Sequence, residues 1–284
     1  MYSHHSHSGQ YCQHAKGSLE DMVLKALSLN YKLLCLTEHM PRLENKHLYP
    51  EELETNTSIQ DLEKTFDDYF AEAQRLKAKY AGRIELLVGF ESEGISPAYN
   101  NYTKQLLAKY DFDMFVGSVH HVNGIPIDFD EVQFTQAMES CGGLEQLYSE
   151  YFDLQYAVLQ LHPTVLGHFD LIRLLSPEFD LKNSGVWPKV VRNVQFAANS
   201  KCLIEINHSA IRKGWTCPYP QSDIVEQIVK FGAKVCLSDD SHTPLQIGIN
   251  VAKSLNYLLE NGVTQFHTVT GEVVSIERFL KTMI

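Results

Sequence analysis

Positive charge is scarce in this sequence. Its 284 residues carry 24 Lys or Arg against 35 Asp or Glu, a formal net charge of −11. Grip on a phosphate backbone comes from Lys and Arg displacing counterions, so nucleic acid is not an expected partner. No apolar run approaches the ~20 residues of a membrane span, so no membrane partner is expected either. The six cysteines are widely spaced and include no CxxC pair, which favours reduced, mostly buried thiols of a cytosolic protein over a disulfide framework. The chain reaches a ligand motif by residue 5, so no targeting segment is expected and a cytoplasmic location is. Nucleotide and nucleophile signatures are missing too: there is no GxGxxG, Walker A, GxSxG or HExxH. Metal-activated water is then the natural nucleophile. An anionic small substrate stays compatible with the acidic balance, because bound metal supplies local positive charge.

Histidine, by contrast, is plentiful and oddly placed. Seven of the 13 histidines, with one Glu and one Asp, fall where expected strands run into loops. The clusters are His5-Ser6-His7, Cys12-Gln13-His14, Thr37-Glu38-His39, Gly89-Phe90-Glu91, Gly117-Ser118-Val119-His120, Gly167-His168 and Asp240-Ser241-His242. Imidazole nitrogen and carboxylate oxygen are the ligands that zinc, iron and manganese accept. Nine such groups are too many for one ion and suit two or three that share a bridging carboxylate.

A strand–helix alternation runs through the chain. Strands are expected at 2–7, 33–37, 85–91, 113–119, 164–168, 202–207 and 234–238, with helices after Ser18 and at 61–80, 102–110, 144–161, 187–199, 222–231 and 252–260. Seven βα units without a low-complexity linker predict an α/β fold, one closed or nearly closed parallel barrel forming a single domain over residues 1–284. A doubly wound open sheet is the alternative. Hydrophobic residues at 44% supply an ample core. Barrel enzymes carry their sites at the C-terminal strand ends, where every ligand candidate falls. Residues 40–59 and 124–143 lack periodicity and are expected to form lids or substrate walls.

Each motif has a plainer reading. A lone His-x-His is often a surface or core feature, but on an extended strand His5 and His7 project to one face and can chelate one ion. Asp240 and His242 repeat that spacing. Glu91 ends an apolar strand, where an isolated carboxylate is costly without a cation; a buried ion pair is the alternative to metal. His39, His120 and His168 taken singly would pass as hydrogen-bonded core histidines. Glycine before His120 and His168 is expected to let the backbone approach the site. Cys12 could ligate, although a thiol packed under the loop is the simpler expectation. Arg173 and Arg212 follow strand ends, and a guanidinium fork suits phosphate; surface ion pairs compete with that reading, and Arg42 is a weaker third. His121 and His208 are expected near the pocket, His4 in a structural role, and His47, His162 and His267 at the surface.

The same residues, with Cys12-Gln13-His14-Ala15-Lys16-Gly17, Gly167-His168-Phe169-Asp170-Leu171 and Glu205-Ile206-Asn207 followed by Arg212, resemble the PHP (polymerase and histidinol phosphatase) superfamily. Within it they are similar to fungal-type monofunctional histidinol-phosphate phosphatases over essentially the full length. Glu38 departs from the Asp of many relatives. The resemblance implies a PHP-type distorted (β/α)7 barrel and two to three divalent ions, zinc, iron or manganese. It implies one ion on His5, His7, Glu91 and Asp240, a second on Glu91, His120 and His168, and a third on His14, His39 and His242. Glu91, Asp240 and His242 would be catalytic, and Arg173, Arg212, Asn207 and His208 would meet the substrate. The implied reaction is hydrolysis of L-histidinol phosphate in histidine biosynthesis, by a metal-bridging hydroxide attacking phosphorus, with His208 or Asp170 among the candidates to protonate the leaving oxygen. Glu93 is a candidate for the substrate's ammonium or imidazole. A phosphoesterase of nucleotides, oligonucleotides or another small phosphate ester is the alternative enzyme, and a non-catalytic metal-binding module the alternative class.

Overall fold

The computed structural model describes residues 1–283. Seven strands, β1 (Tyr2–Ser3), β2 (Leu33–Leu36), β3 (Glu85–Glu93), β4 (Met114–Ser118), β5 (Val165–Leu166), β6 (Leu203–Asn207) and β7 (Val235–Ser238), pair in parallel and in chain order. Backbone hydrogen bonds close the ring between its first and last members. His4 N–H donates to Leu237 O at 3.1 Å, Asp240 N–H to His5 O at 3.1 Å and His7 N–H to Ser241 O at 2.8 Å. The expected barrel is therefore found, and the open sheet is not.

Helices cover the outside, so strands are apolar on both faces; all four residues of β2 are buried. Helix Leu19–Ser28 starts in a capping box of Ser18 and Asp21, and Ile59–Lys79 in one of Ser58 and Asp61. Ile59–Lys79 buries Phe66, Tyr69, Ala73 and Leu76 along one stripe. Tyr69 anchors it by donating to the carbonyls of Leu36 and Gly89, each at 2.6 Å.

Several elements differ from the sequence expectation. Residues 124–143 contain a helix, Glu131–Cys141, capped by Asp130 and ended by Gly142 at φ 83°. Only Phe134 and Ala137 are buried on it, too thin a stripe to read as periodic. The helix expected at 102–110 is Pro97–Lys109, with Pro97 opening it five residues early. Beyond β7, a hairpin of Gln265–His267 and Val273–Ser275 plus helix Ile276–Lys281 closes the N-terminal mouth of the barrel. Tyr2 packs there against Phe266 and Phe279, with ring centroids 5.5 and 5.7 Å away. Among the described residues no helix is long and apolar enough to cross a membrane, and all six cysteines are free.

Candidate metal centre

At the opposite, C-terminal mouth the strand ends converge. His5 and His7, on one face of the extended segment after β1, bring their Nε2 atoms to 3.0 Å of each other. Glu91 Oε2 lies 3.3 Å from His5 Nε2 and 3.5 Å from His7 Nε2, and Asp240 Oδ1 lies 3.8 and 3.5 Å from the same two atoms. The other oxygen of Glu91, Oε1, faces a different pair: it is 3.3 Å from His120 Nε2 and 3.0 Å from His168 Nε2, which are 3.1 Å apart. One carboxylate thus addresses two neighbouring sites. A third group gathers His14, His39 and His242 together with Cys12. The His14 and His242 rings stack at 5.0 Å, and His39 Nδ1 lies 2.9 Å from Glu91 Oε2.

These donors fit divalent cations for a reason internal to the site. His5 Nδ1 lies 2.8 Å from Glu205 Oε1, and His120 Nδ1 lies 2.9 Å from Glu93 Oε2. Each of those nitrogens carries the proton that a carboxylate accepts, which leaves the Nε2 lone pairs aimed at other acceptors. Acceptor facing acceptor in a buried site is repulsive unless a cation lies between them. Electrostatics agree. Burial opposes charge on Glu91, but the imidazoles of His5, His120 and His39 outweigh it and hold its carboxyl well below the usual range. Burial likewise opposes charge on His5, and the carboxylates of Glu91, Glu205 and Asp240 override it, pushing the imidazole well above its ordinary value. Facing carboxylates raise His7 and His120 likewise, whereas burial and the neighbouring His7 push His14, His39 and His242 down.

The backbone contributes too. Asp240 sits at φ 44°, a left-handed conformation that Asp tolerates better than most residues. Asn207 Nδ2 donates to its Oδ2 at 3.1 Å, and Arg212 donates to its carbonyl at 2.7 Å. Gly167 serves packing between strands: a Cβ there would meet Ser118 Oγ at 2.5 Å and Val116 Cγ1 at 3.0 Å. That is the reason for glycine before His168, in place of the expected backbone approach to the site.

A shell of carboxylates behind the ligands escaped the sequence reading. Glu93, expected to greet the substrate, instead holds His120 and accepts from Tyr49 Oη at 2.9 Å, with the Arg42 guanidinium 3.7 Å away. Glu205 supports His5 and accepts the His168 backbone N–H at 2.6 Å. Glu38 accepts from the Ser8 N–H and hydroxyl at 2.8 and 2.6 Å and lies 3.6 Å from His7 Nδ1. The signal was available for Glu205, a carboxylate inside an apolar strand like Glu91. Glu205→Gln is expected to weaken metal retention about 10–100-fold in a chelator competition; unchanged affinity would remove Glu205 from the metal's support.

A cavity of about 380 Å³ opens onto the centre, lined by the candidate ligands His14, His39, Glu91, His120, His168, Asp240 and His242. Residues 40–59 and 124–143 supply walls through Tyr49, Glu51, Asp128 and Phe129, and Arg212 and Lys213 bring positive charge. Three expected substrate residues do not face it. Arg173 is buried, its guanidinium engaged by Asp223 at 2.8 and 2.6 Å and by Asp170 at 3.2 Å. Asn207 is consumed by Glu205, Asp240 and the Ser209 N–H. His208 is buried with Nδ1 2.8 Å from Ser254 Oγ, and burial and nearby Arg212 push its pKa down to about 3. Arg42 stacks 4.2 Å over the Tyr49 ring, beneath the site. His121 is buried off the cavity, and His47, expected at the surface, is buried with Nδ1 2.9 Å from Tyr99 Oη. His4 is structural, as expected, with Nδ1 2.8 Å from Leu237 O.

Comparison with known proteins places this arrangement. A family model, PHP domain, matches residues 3–209. The chain belongs to the PHP family. A Schizosaccharomyces pombe protein named "Probable histidinol-phosphatase" is 47% identical over 268 residues, covering 92% of this chain and 87% of that protein. The histidinol-phosphatase of Saccharomyces cerevisiae is 37% identical, covering 92% and 88%. A crystal structure of the Lactococcus lactis histidinol phosphate phosphatase, complexed with zinc, L-histidinol and phosphate, aligns with TM-score 0.67 at 18% identity over 94% of each chain. The PHP match ends at residue 209, yet β7 and the candidate ligands Asp240 and His242 lie beyond it, so the C-terminal part of the chain completes both the barrel and the candidate metal centre.

Proposed function

We propose that this chain is a metal-dependent phosphomonoesterase that hydrolyses L-histidinol phosphate to L-histidinol and phosphate, a step of histidine biosynthesis. The observation that carries it is Glu91, whose two oxygens address two adjacent sites at the floor of a cavity that also holds the Arg212 and Lys213 cations. The substrate comes from the relatives, two fungal proteins named for it at 47% and 37% identity over 92% of the chain.

The centre takes two or three ions from zinc, iron and manganese. His5, His7, Glu91 and Asp240 would hold one, Glu91, His120 and His168 a second, and His14, His39 and His242 a third. Bound there, such ions act as Lewis acids and bring the pKa of water from 15.7 to roughly 7. The protein's own groups do the rest. Arg212, fixed by the carbonyls of Asp239 and Asp240 at 2.6 and 2.7 Å, meets the charge on the phosphate oxygens. Asp128 and Glu51 on the cavity wall suit the ammonium and imidazole of the alcohol, with Tyr49 and Phe129 beside them. His208 and Asp170 are engaged away from the cavity, His208 by Ser254 and Asp170 by Arg173 and the Gln221 N–H, which argues against either as proton donor to the leaving oxygen.

The test is a substrate panel on metal-reconstituted protein: histidinol phosphate, mononucleotides and bis-p-nitrophenyl phosphate. Histidinol phosphate is expected to lead in kcat/KM by about a hundredfold or more, as sites with placed polar groups discriminate. Equal or better turnover of nucleotides or the diester would overturn the assignment.

A further inference from the structure

Cys12 lies in the loop after β1, two residues before His14, and is 6% exposed. Its Sγ is 3.2 Å from His14 Nε2. A thiol can sit so because it donates a hydrogen bond, or because sulfur and nitrogen aim at one ion. Three observations favour the ion. One ligand atom from each of Cys12, His14, His39 and His242 can be chosen so that all lie within 4.8 Å of one another, making sulfur a fourth donor in a group with only three histidines. The 3.2 Å spacing also matches the facing pairs of the other two sites, 3.0 Å for His5 and His7 and 3.1 Å for His120 and His168. Donors about 2.0–2.3 Å from a shared ion stand roughly 3–3.6 Å apart. His39 Nε2 is moreover buried without a hydrogen-bond partner.

We infer that the third site is a thiolate site, in which Cys12 Sγ joins His14, His39 and His242. This rests on the multinuclear reading above. Coordination releases the thiol proton to solvent and leaves a neutral imidazole on each histidine. The chemistry separates this site from its neighbours. The first two sites mix imidazole with carboxylate oxygen, which accepts zinc, iron or manganese, whereas sulfur with three imidazoles is softer and selects zinc over manganese. The ion of the third site would pin the loop after β1 to the loop after β7, which carries both His242 and the first-site ligand Asp240.

The experiment loads metal-free protein with Co(II) to saturation, counting bound ions and recording the absorption spectrum. Three cobalt ions and a near-ultraviolet sulfur-to-cobalt charge-transfer band are expected. In Cys12→Ser the band should vanish while the visible cobalt bands of the other two sites persist. Should that variant fail to fold, X-ray absorption of zinc-loaded wild type is expected to show about one sulfur scatterer per three zincs. Three ions without a sulfur band or scatterer, or a band that survives in Cys12→Ser, overturn the proposal. Saturation at two ions overturns the third site alone and leaves the Glu91 bridge standing. Binding of no ions overturns the multinuclear reading beneath both. Failure to hydrolyse histidinol phosphate with the band present would count against the substrate and leave Cys12 as a ligand.

Discussion

Glu91→Gln is expected to lower turnover by about a thousandfold and to release at least one metal ion per chain. Glutamine keeps the shape of the side chain and one carbonyl oxygen, but its amide nitrogen carries two hydrogens and cannot ligate. Whichever way the amide turns, one of the two sites that Glu91 Oε1 and Oε2 address loses its shared oxygen. The change also removes the negative charge that the surrounding imidazoles stabilise. Taking one partner from a buried charge cluster costs about 3–5 kcal/mol, or 10²–10⁴ in an equilibrium or rate constant. Activity assays with elemental analysis check both effects. The comparison variant is His267→Asn on the hairpin at the other mouth of the barrel, which should change neither. Near-wild-type activity and metal content in Glu91→Gln would remove the bridge from the account.

The two arginines should part company. Arg212→Ala is expected to lose about 10–100-fold in kcat/KM for histidinol phosphate, the 1.5–3 kcal/mol of charge-assisted hydrogen bonds to phosphate. Lysine should recover only part, because an ammonium is a point charge without the planar fork. Arg173→Ala should instead leave kcat/KM of the folded protein nearly unchanged and destabilise it. With its guanidinium gone, Asp170, fully buried, and Asp223 lose their shared cation. That costs about 3 kcal/mol, a fall in Tm of about 5 °C in a chain of this length. Calorimetry beside steady-state kinetics separates the cases. A loss of kcat/KM in Arg173→Ala with Tm unchanged would restore it as a phosphate ligand.

The contrast between those arginines shows what a sequence makes legible. Each of the nine metal-ligand candidates could be read because a ligand needs only its own chemistry and a place just after a barrel strand, and short continuous apolar runs locate the strands. Glu91 was legible for a further reason: a carboxylate ending Leu86-Leu87-Val88 demands a cation wherever the strand lies. Arg173 follows a strand in the same way, yet its guanidinium is engaged by Asp223 and not turned to the cavity. Its partner Asp223 stands 50 residues away, on a helix whose own periodicity says nothing about which arginine it will face. Pairing of that kind is tertiary. Glu93 is hidden likewise, since a carboxylate behind a histidine and one facing a substrate look alike in a sequence; for Glu205 the apolar strand marks a buried carboxylate but not the histidine it supports. In the sequence Cys12 reads as a packed thiol, because its meaning depends on His39 and His242, brought in by β2 and β7. At the C-terminus, the hairpin strands Gln265–His267 and Val273–Ser275 are three residues each, too short for alternation to register.

Metal content tests the central claim most directly. Protein purified without chelator, analysed for zinc, iron and manganese, is expected to carry two to three ions per chain and to release phosphate from histidinol phosphate. Removing the ions should abolish that activity, and restoring them should return it. Fewer than one ion per chain in fully active protein would contradict the account.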